Sequence, residues 1–429
     1  MSTIEQIWTI LYFLMWVVTF GVYQWKCKRI DGGTTIIASY CLYSFCALFI
    51  MDSLWFVLYP IRPITLFPYI YLYVMLMIAL SPALYLHTSR AETIEDPQTR
   101  LIDCLAVVII VSGLCLLPEI YSNFGNGIVK LLVDSEAGKD AYQEQLSNVQ
   151  DSGSKVNNIA AVIFNAMSDI GVFLFFYYLS LKKKSIFMIV GLATSMVITI
   201  LLPLMNGLRG SVIISVFTIV MAYFFMKRFL SSLVKTVARV LGTIFLSLVS
   251  LPVIAITFSR FGNGAIELLL ESLMWYIGQG SIYFNSYALD PGGYRYGDRV
   301  FNLFKRLIDP STPANYEERR AKYPNLELDD NLFSTFVGDF CIDLGPIITF
   351  CIFVVFNLFV LYMIRHKGTT IKLHQMVLLY FCMCVCIQGG MALFSFADTG
   401  NLRIIVFALI YVYLYYHDQL LLKYPKNPT

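Results

Sequence analysis

Three short motifs set an arginine among glycines and asparagines: Asn206-Gly207-Leu208-Arg209-Gly210-Ser211, Ser259-Arg260-Phe261-Gly262-Asn263-Gly264 and Asp398-Thr399-Gly400-Asn401-Leu402-Arg403. Glycine lets backbone approach a ligand closely, and a helix N-terminus supplies free N–H groups and a positive dipole. An arginine added to such a turn suits a phosphate oxygen, because its planar fork binds bidentately. The plainer reading of each is a snorkelling side chain, or a partner for a carboxylate such as Asp398.

A second group of residues sits in Asp329-Asp330-Asn331-Leu332-Phe333-Ser334-Thr335-Phe336-Val337-Gly338-Asp339-Phe340-Cys341-Ile342-Asp343-Leu344-Gly345-Pro346. Asp339 and Asp343 are four apart, which puts both on one face of a helix. Carboxylates at the mouth of an apolar segment are costly and turn toward a cavity or a partner. They either accept a proton from a hydroxyl or pair with an arginine. A divalent cation would need a third ligand, and none is evident, so no metal is expected. Arg295, Arg299, Arg306, Arg319 and Arg320 also lie between residues 259 and 343 and read as solvated loop charges.

These residues are embedded in a chain of 429 residues that is 58% hydrophobic and 14% charged, with a mean hydropathy of +0.69. Soluble domains carry about 25% charge. The composition is that of an all-α, polytopic membrane protein, one integral domain over residues 1–429. The net charge of +3, dispersed between apolar runs, argues against nucleic acid. The N-terminus lacks basic residues before its apolar run and reads as a retained first helix. The ten cysteines fall almost wholly in or beside apolar segments and read as small buried side chains rather than a disulfide framework.

Runs of about 20 apolar residues span a bilayer core. About eleven are expected, at 4–25, 34–59, 64–86, 101–120, 159–181, 185–205, 211–226, 240–258, 336–364, 373–396 and 404–422. The short loops fall into two alternating sets. One holds Lys26, Lys28, Arg29, Arg90, Arg100, Lys182, Lys183, Lys184, Lys227, Arg228, Lys235, Arg239, Arg365, Lys367, Lys372, Lys423 and Lys426; the other holds Arg62, Arg209 and Arg403. The positive-inside rule makes the first set cytoplasmic. The N-terminus is then outside and the C-terminus inside. Two longer segments, 121–158 and 259–335, face the outer side, the first as a surface flap or a lid. Residues 265–289 are apolar enough to span, but Glu267 and Glu271 favour an amphipathic helix at the interface. His87, His366, His374 and His417 all fall on the inner side, so outer-face chemistry would use a carboxylate base or the substrate itself. Asp52 and Asp169 read as buried contacts between helices.

With its expected spans, NGLRGS at an outer edge, an arginine-bearing late loop and FVGDFCIDLGP opening the next helix, the chain resembles the O-antigen polymerases, the Wzy-type oligosaccharide repeat-unit polymerases. The resemblance implies a glycosyltransferase C-like architecture in the bacterial inner membrane. Its donor and acceptor would be undecaprenyl-pyrophosphate-linked repeat units on the periplasmic face, with membrane lipids and a chain-length regulator as partners and no cofactor. It also implies that arginines hold the pyrophosphates, a role that maps to Arg209, Arg260, Arg403 and Arg299. Departing pyrophosphate needs fixed positive charge, and the acceptor hydroxyl a base. The candidates for that base are Asp339, Asp343 and Glu267. The family pattern of arginine followed by glycine eleven positions on is absent. An O-antigen ligase would carry a histidine in the large outer loop, and this chain has none there. A flippase would show internal symmetry and short outer loops.

Overall fold

The computed structural model describes residues 2–50, 56, 59–88, 91–95, 97, 99–133, 155–183, 185–205, 209–244, 247, 265–313, 318, 321–327, 332–366, 368–391 and 397–423. Side chains are described for all of these except 86–88, 123–133, 155–158, 205, 209, 265–269, 272, 397 and 422–423. The chain is all-α, with two residues of parallel β-bridge, and forms two compact units. The terminal unit joins Met1–Gln98 to Met274–Thr429, and the central unit is Thr99–Leu273.

Among the described residues nine helices are long and apolar enough to cross a membrane. In the terminal unit these are α1 (Thr3–Cys27), α2 (Gly32–Phe49), α3 (Leu66–Thr88), α11 (Pro346–Met363) and α13 (Ala397–Lys423). In the central unit they are α4 (Leu101–Val133), α5 (Lys155–Ser180), α6 (Ile186–Met205) and α7 (Arg209–Met226). These are the helices of a multi-pass membrane protein. The remaining labelled helices are α8 (Ala265–Tyr283), α9 (Asn302–Ile308), α10 (Thr335–Leu344) and α12 (Leu373–Gln388).

Local chemistry explains the boundaries. Ser2 and Glu5 form a reciprocal cap on α1, and Lys28 closes it in a left-handed conformation (φ 52°). Asp31 and Thr34 cap α2 in the same reciprocal way. The first three helices interlock through rings: Tyr12 stacks on Tyr69 at 4.6 Å and Trp16 on Tyr40 at 4.8 Å. In the central unit, glycines let helices close up, with Gly113 facing Phe164 and Ser195, and Gly191 facing Ile110.

Two expectations are corrected here, and a third reaches beyond the described residues. The run 336–364 is two helices, because Gly345 ends α10 at φ 82° and Pro346 opens α11. The run 373–396 contains the 16-residue α12, with residues 392–396 outside the described residues. The expected span 240–258 falls outside the described residues at 245–246 and from 248 onwards.

The helix expected at the interface, 265–289, is buried over its last turns instead. Gly278 lies against the backbone of Cys46 and Ala47, and Phe284–Ala288 widens into a π-turn whose five residues are all buried. A Cβ at Gly278 would stand 2.5 Å from the Ala47 amide nitrogen, and backbone cannot step aside cheaply. Gly278→Ala is therefore expected to cost about 1–3 kcal/mol, read as a lowered melting temperature of the detergent-purified protein.

Hydrogen bonds sort the loops of the terminal unit onto two ends. At one end Glu5 accepts from Ile64 N (3.0 Å), Asn285 pairs with both backbone groups of Thr65 (3.0 and 2.7 Å), and Arg62 bonds the Asp290 carbonyl (2.7 Å) and Glu327. At the other end Thr93 and Ile94 pair with Thr370 and Ile371, and His374 meets Asp418 at 2.6 Å. This division within the unit matches the alternation of loop charge.

Candidate functional site

At the end that holds the N-terminus, described residues between 289 and 334 fold back onto α10 and the start of α13. The two carboxylates of α10 organise this cap. Their i, i+4 spacing turns both toward the segment 295–302, as the sequence requires of a helix. Arg299 is fastened at both of its ends. Its guanidinium Nε meets Asp339 Oδ1 at 2.5 Å, and its amide N–H donates to Asp343 at 3.2 Å. The next amide, Val300 N, donates to Asp343 Oδ2 at 2.6 Å. Upstream, Arg295 N bonds the Ile342 carbonyl (3.1 Å) and Tyr296 N the Asp343 carbonyl (2.8 Å). Arg299, Asp339 and Asp343 are all buried.

Burial pushes the Asp343 carboxyl up to about 7, against the opposite pull of the Val300 and Arg299 amides and of the Arg299 and Arg295 guanidiniums. Asp298, also buried, gathers Lys305, Lys322 (3.9 Å) and the Tyr323 hydroxyl (2.6 Å). Burial, and then the Asp298 carboxylate, hold the Tyr323 phenol above its ordinary range.

A second polar group lies where α13 begins. Asp398, in the first turn of that helix, accepts from Asn302 Nδ2 (2.7 Å) and Arg306 Nη2 (2.5 Å). Asn401 donates to the Val300 carbonyl (3.1 Å), which ties this group to the first. Arg403 Nη1 reaches Gln388 Oε1 at 3.5 Å. An acidic residue in a first turn is favoured by the helix dipole, so Asp398 is placed there for local as well as tertiary reasons.

The structure thus brings Asp339, Asp343 and Arg299 into one network, and sets Arg403 against Gln388. Arg209 is the first residue of α7 and Glu267 lies in α8, but both side chains fall outside the described residues, as does all of Arg260. Arg319 and Arg320 fall outside them too. Of the loop arginines read as solvated, Arg295 and Arg299 are buried and Arg306 is ion-paired. Sequence reasoning missed Asp298, Asn302 and Tyr323, which carry no local signature because their partners are remote. It also missed Arg62, whose guanidinium sits 5.1 Å from the Tyr287 ring while it binds Glu327.

Chemically, Asp339 and Asp343 are acceptors already engaged by a guanidinium and by backbone amides. That makes them clamps on the cap more than free bases. Among the described residues no group of three or more His, Cys, Asp or Glu side chains is arranged to hold a metal ion. Arg306 and Arg403 have side chains partly open to the surface, as do Lys305 and Lys322 beside Asp298. Comparison of the chain with models of protein families, with curated proteins and with solved structures finds no match.

Proposed function

We propose that this protein is a membrane glycosyltransferase that polymerises polyprenyl-pyrophosphate-linked oligosaccharide repeat units, acting at the outer face of a bacterial cytoplasmic membrane. One observation carries the reading. The polar segments that bear Arg62, Arg299, Arg306 and Arg403 fold together at one end of a bundle of apolar helices, where a lipid headgroup would meet them. Loop charge makes that end the outer one.

In this reading Arg306 and Arg403 hold the diphosphate at the start of α13. Departure of the lipid diphosphate breaks its bond to the anomeric carbon and leaves negative charge on the phosphate oxygen that held the sugar, which fixed guanidiniums stabilise without reorganising. Asp339, Asp343 and Arg299 act one step back, by fixing the cap that carries Arg306.

The gene deletion separates this function from its neighbours. A polymerase deletion leaves lipopolysaccharide core capped by a single repeat unit, a ligase deletion leaves bare core, and a flippase deletion stops export. Bare core or blocked export would overturn the proposal. Within it, Arg403→Ala is expected to lower the polymerisation rate about 100-fold, the usual scale for losing one donor to developing charge. Proteoliposomes supplied with lipid-linked repeat units would show this as a loss of long-chain product at unchanged protein level.

A further inference from the structure

Tyr296 is out of place for a residue facing water. It adopts a left-handed conformation (φ 53°), which side chains with a Cβ rarely take and which an exposed loop ordinarily assigns to glycine or asparagine. Its neighbours Gly292, Gly293 and Gly297 are glycines at positive φ, so the segment needs such backbone, and only at 296 does a large ring occupy it. The backbone there is pinned by the bonds of Arg295 N and Tyr296 N to the end of α10. The residue is 70% exposed. Backbone bonds hold this conformation, but among the described residues no polar or ring contact holds the side chain.

The surroundings indicate what does. Tyr294, two residues earlier, lies with its ring against Gly345, where an added Cβ would come within 3.1 Å of it. Gly345 directly precedes α11, an 18-residue apolar helix. At 1.5 Å per residue α11 is roughly 27 Å long, close to the ~30 Å hydrocarbon thickness of a bilayer, so its first turn stands at one boundary of that layer. Ile347 (79% exposed), Ile348, Val355, Leu358 and Tyr362 continue an exposed apolar surface along its length. Tyrosine is the residue of such a boundary, with an apolar ring and a hydroxyl that stays wet.

We infer that Tyr294 and Tyr296 seat the cap in the headgroup–acyl boundary of the lipid bilayer beside the start of α11, Tyr296 by direct contact with phospholipid. This anchoring stands independently of any catalytic activity and of which side of the membrane the cap faces. It would fix the height of the buried Arg299–Asp339 network relative to the bilayer.

Photo-crosslinking tests it. The full-length chain, with Tyr296 replaced by p-benzoylphenylalanine, is placed in phosphatidylcholine nanodiscs, irradiated and weighed intact, with the same probe at Ile347 as the benchmark. A phospholipid adduct at 296 in at least a tenth of the benchmark yield is the expected result. A smaller yield, or crosslinks to a second copy of the chain in place of lipid, would overturn the inference. So would a benchmark that captures no lipid, because the boundary argument depends on α11 facing it.

Discussion

Replacing Asp339 by alanine is expected to destabilise the terminal unit by about 3–5 kcal/mol, because it removes the carboxylate that meets the buried Arg299 guanidinium. Native proteins hold a margin of about 5–15 kcal/mol, so a loss of this size removes a large share of it. Arg299→Ala should cost a similar amount from the opposite side, by removing the guanidinium that Asp339 meets. The informative variant is the double one. Arg299→Met with Asp339→Leu removes both charges and keeps apolar volume, and such replacements of buried pairs are often neutral or stabilising. The amide of residue 299 remains in the double variant, so its bond to Asp343 survives.

Recovery of most of the lost stability by the double variant would mark the pair as a structural clamp. The measurement is a denaturant or thermal melt in detergent, joined to hydrogen exchange at the amides of residues 295–302, which should open in the single variants and close again in the double one. An Asp339→Ala protein that melts with the wild type would remove the structural reading. It would return Asp339 to candidacy as a base.

Much of the architecture was legible in the sequence, and the physical reason is that it is local. Apolar runs long enough to cross a bilayer, and lysines and arginines clustered between alternate pairs of them, depend only on the segment and its solvent. The face shared by Asp339 and Asp343 was legible for the same reason, since a four-residue spacing fixes it. The partner was not, because Arg299 lies 40 residues away in sequence and no periodicity encodes a long-range ion pair. The break at Gly345-Pro346 had a local signal, a helix-ending glycine followed by a helix-opening proline, which the continuous hydropathy of 336–364 masked. The burial of residues 278–288 was hidden differently. Glu267 and Glu271 suggested a surface helix, whereas the small and polar residues after them, Gly278, Gln279, Gly280 and Ser281, pack tightly between neighbours. Arg209 and Arg260 belong to the central unit, and what their side chains meet lies outside the described residues.

Asp343→Asn is expected to change how stability depends on pH. The native carboxyl is pushed up to about 7 from an ordinary value of 3.8. Between those two values the folded protein keeps a proton that the unfolded chain has released. Stability therefore falls as pH rises through that window, and is level with respect to this group below and above it. A full shift corresponds to about 1.4 kcal/mol per pH unit, or roughly 4 kcal/mol across the window. The two amide donors from Arg299 and Val300 act against the loss, because they bind the ionised form best. Asparagine at 343 keeps an oxygen to accept from these amides but cannot ionise. The variant should match the wild type to within about 1 kcal/mol near pH 4, the scale of one rearranged hydrogen bond. It should then gain on the wild type steadily up to pH 7 and hold that gain at pH 8. Taking the difference between the two proteins cancels every other titrating group that the substitution leaves alone. A difference that stays flat from pH 4 to 8 would mean that Asp343 is ionised throughout, held by the amides and guanidiniums around it. Its role in the cap would then be that of a fixed anion, clamping the Arg299–Val300 turn by charge.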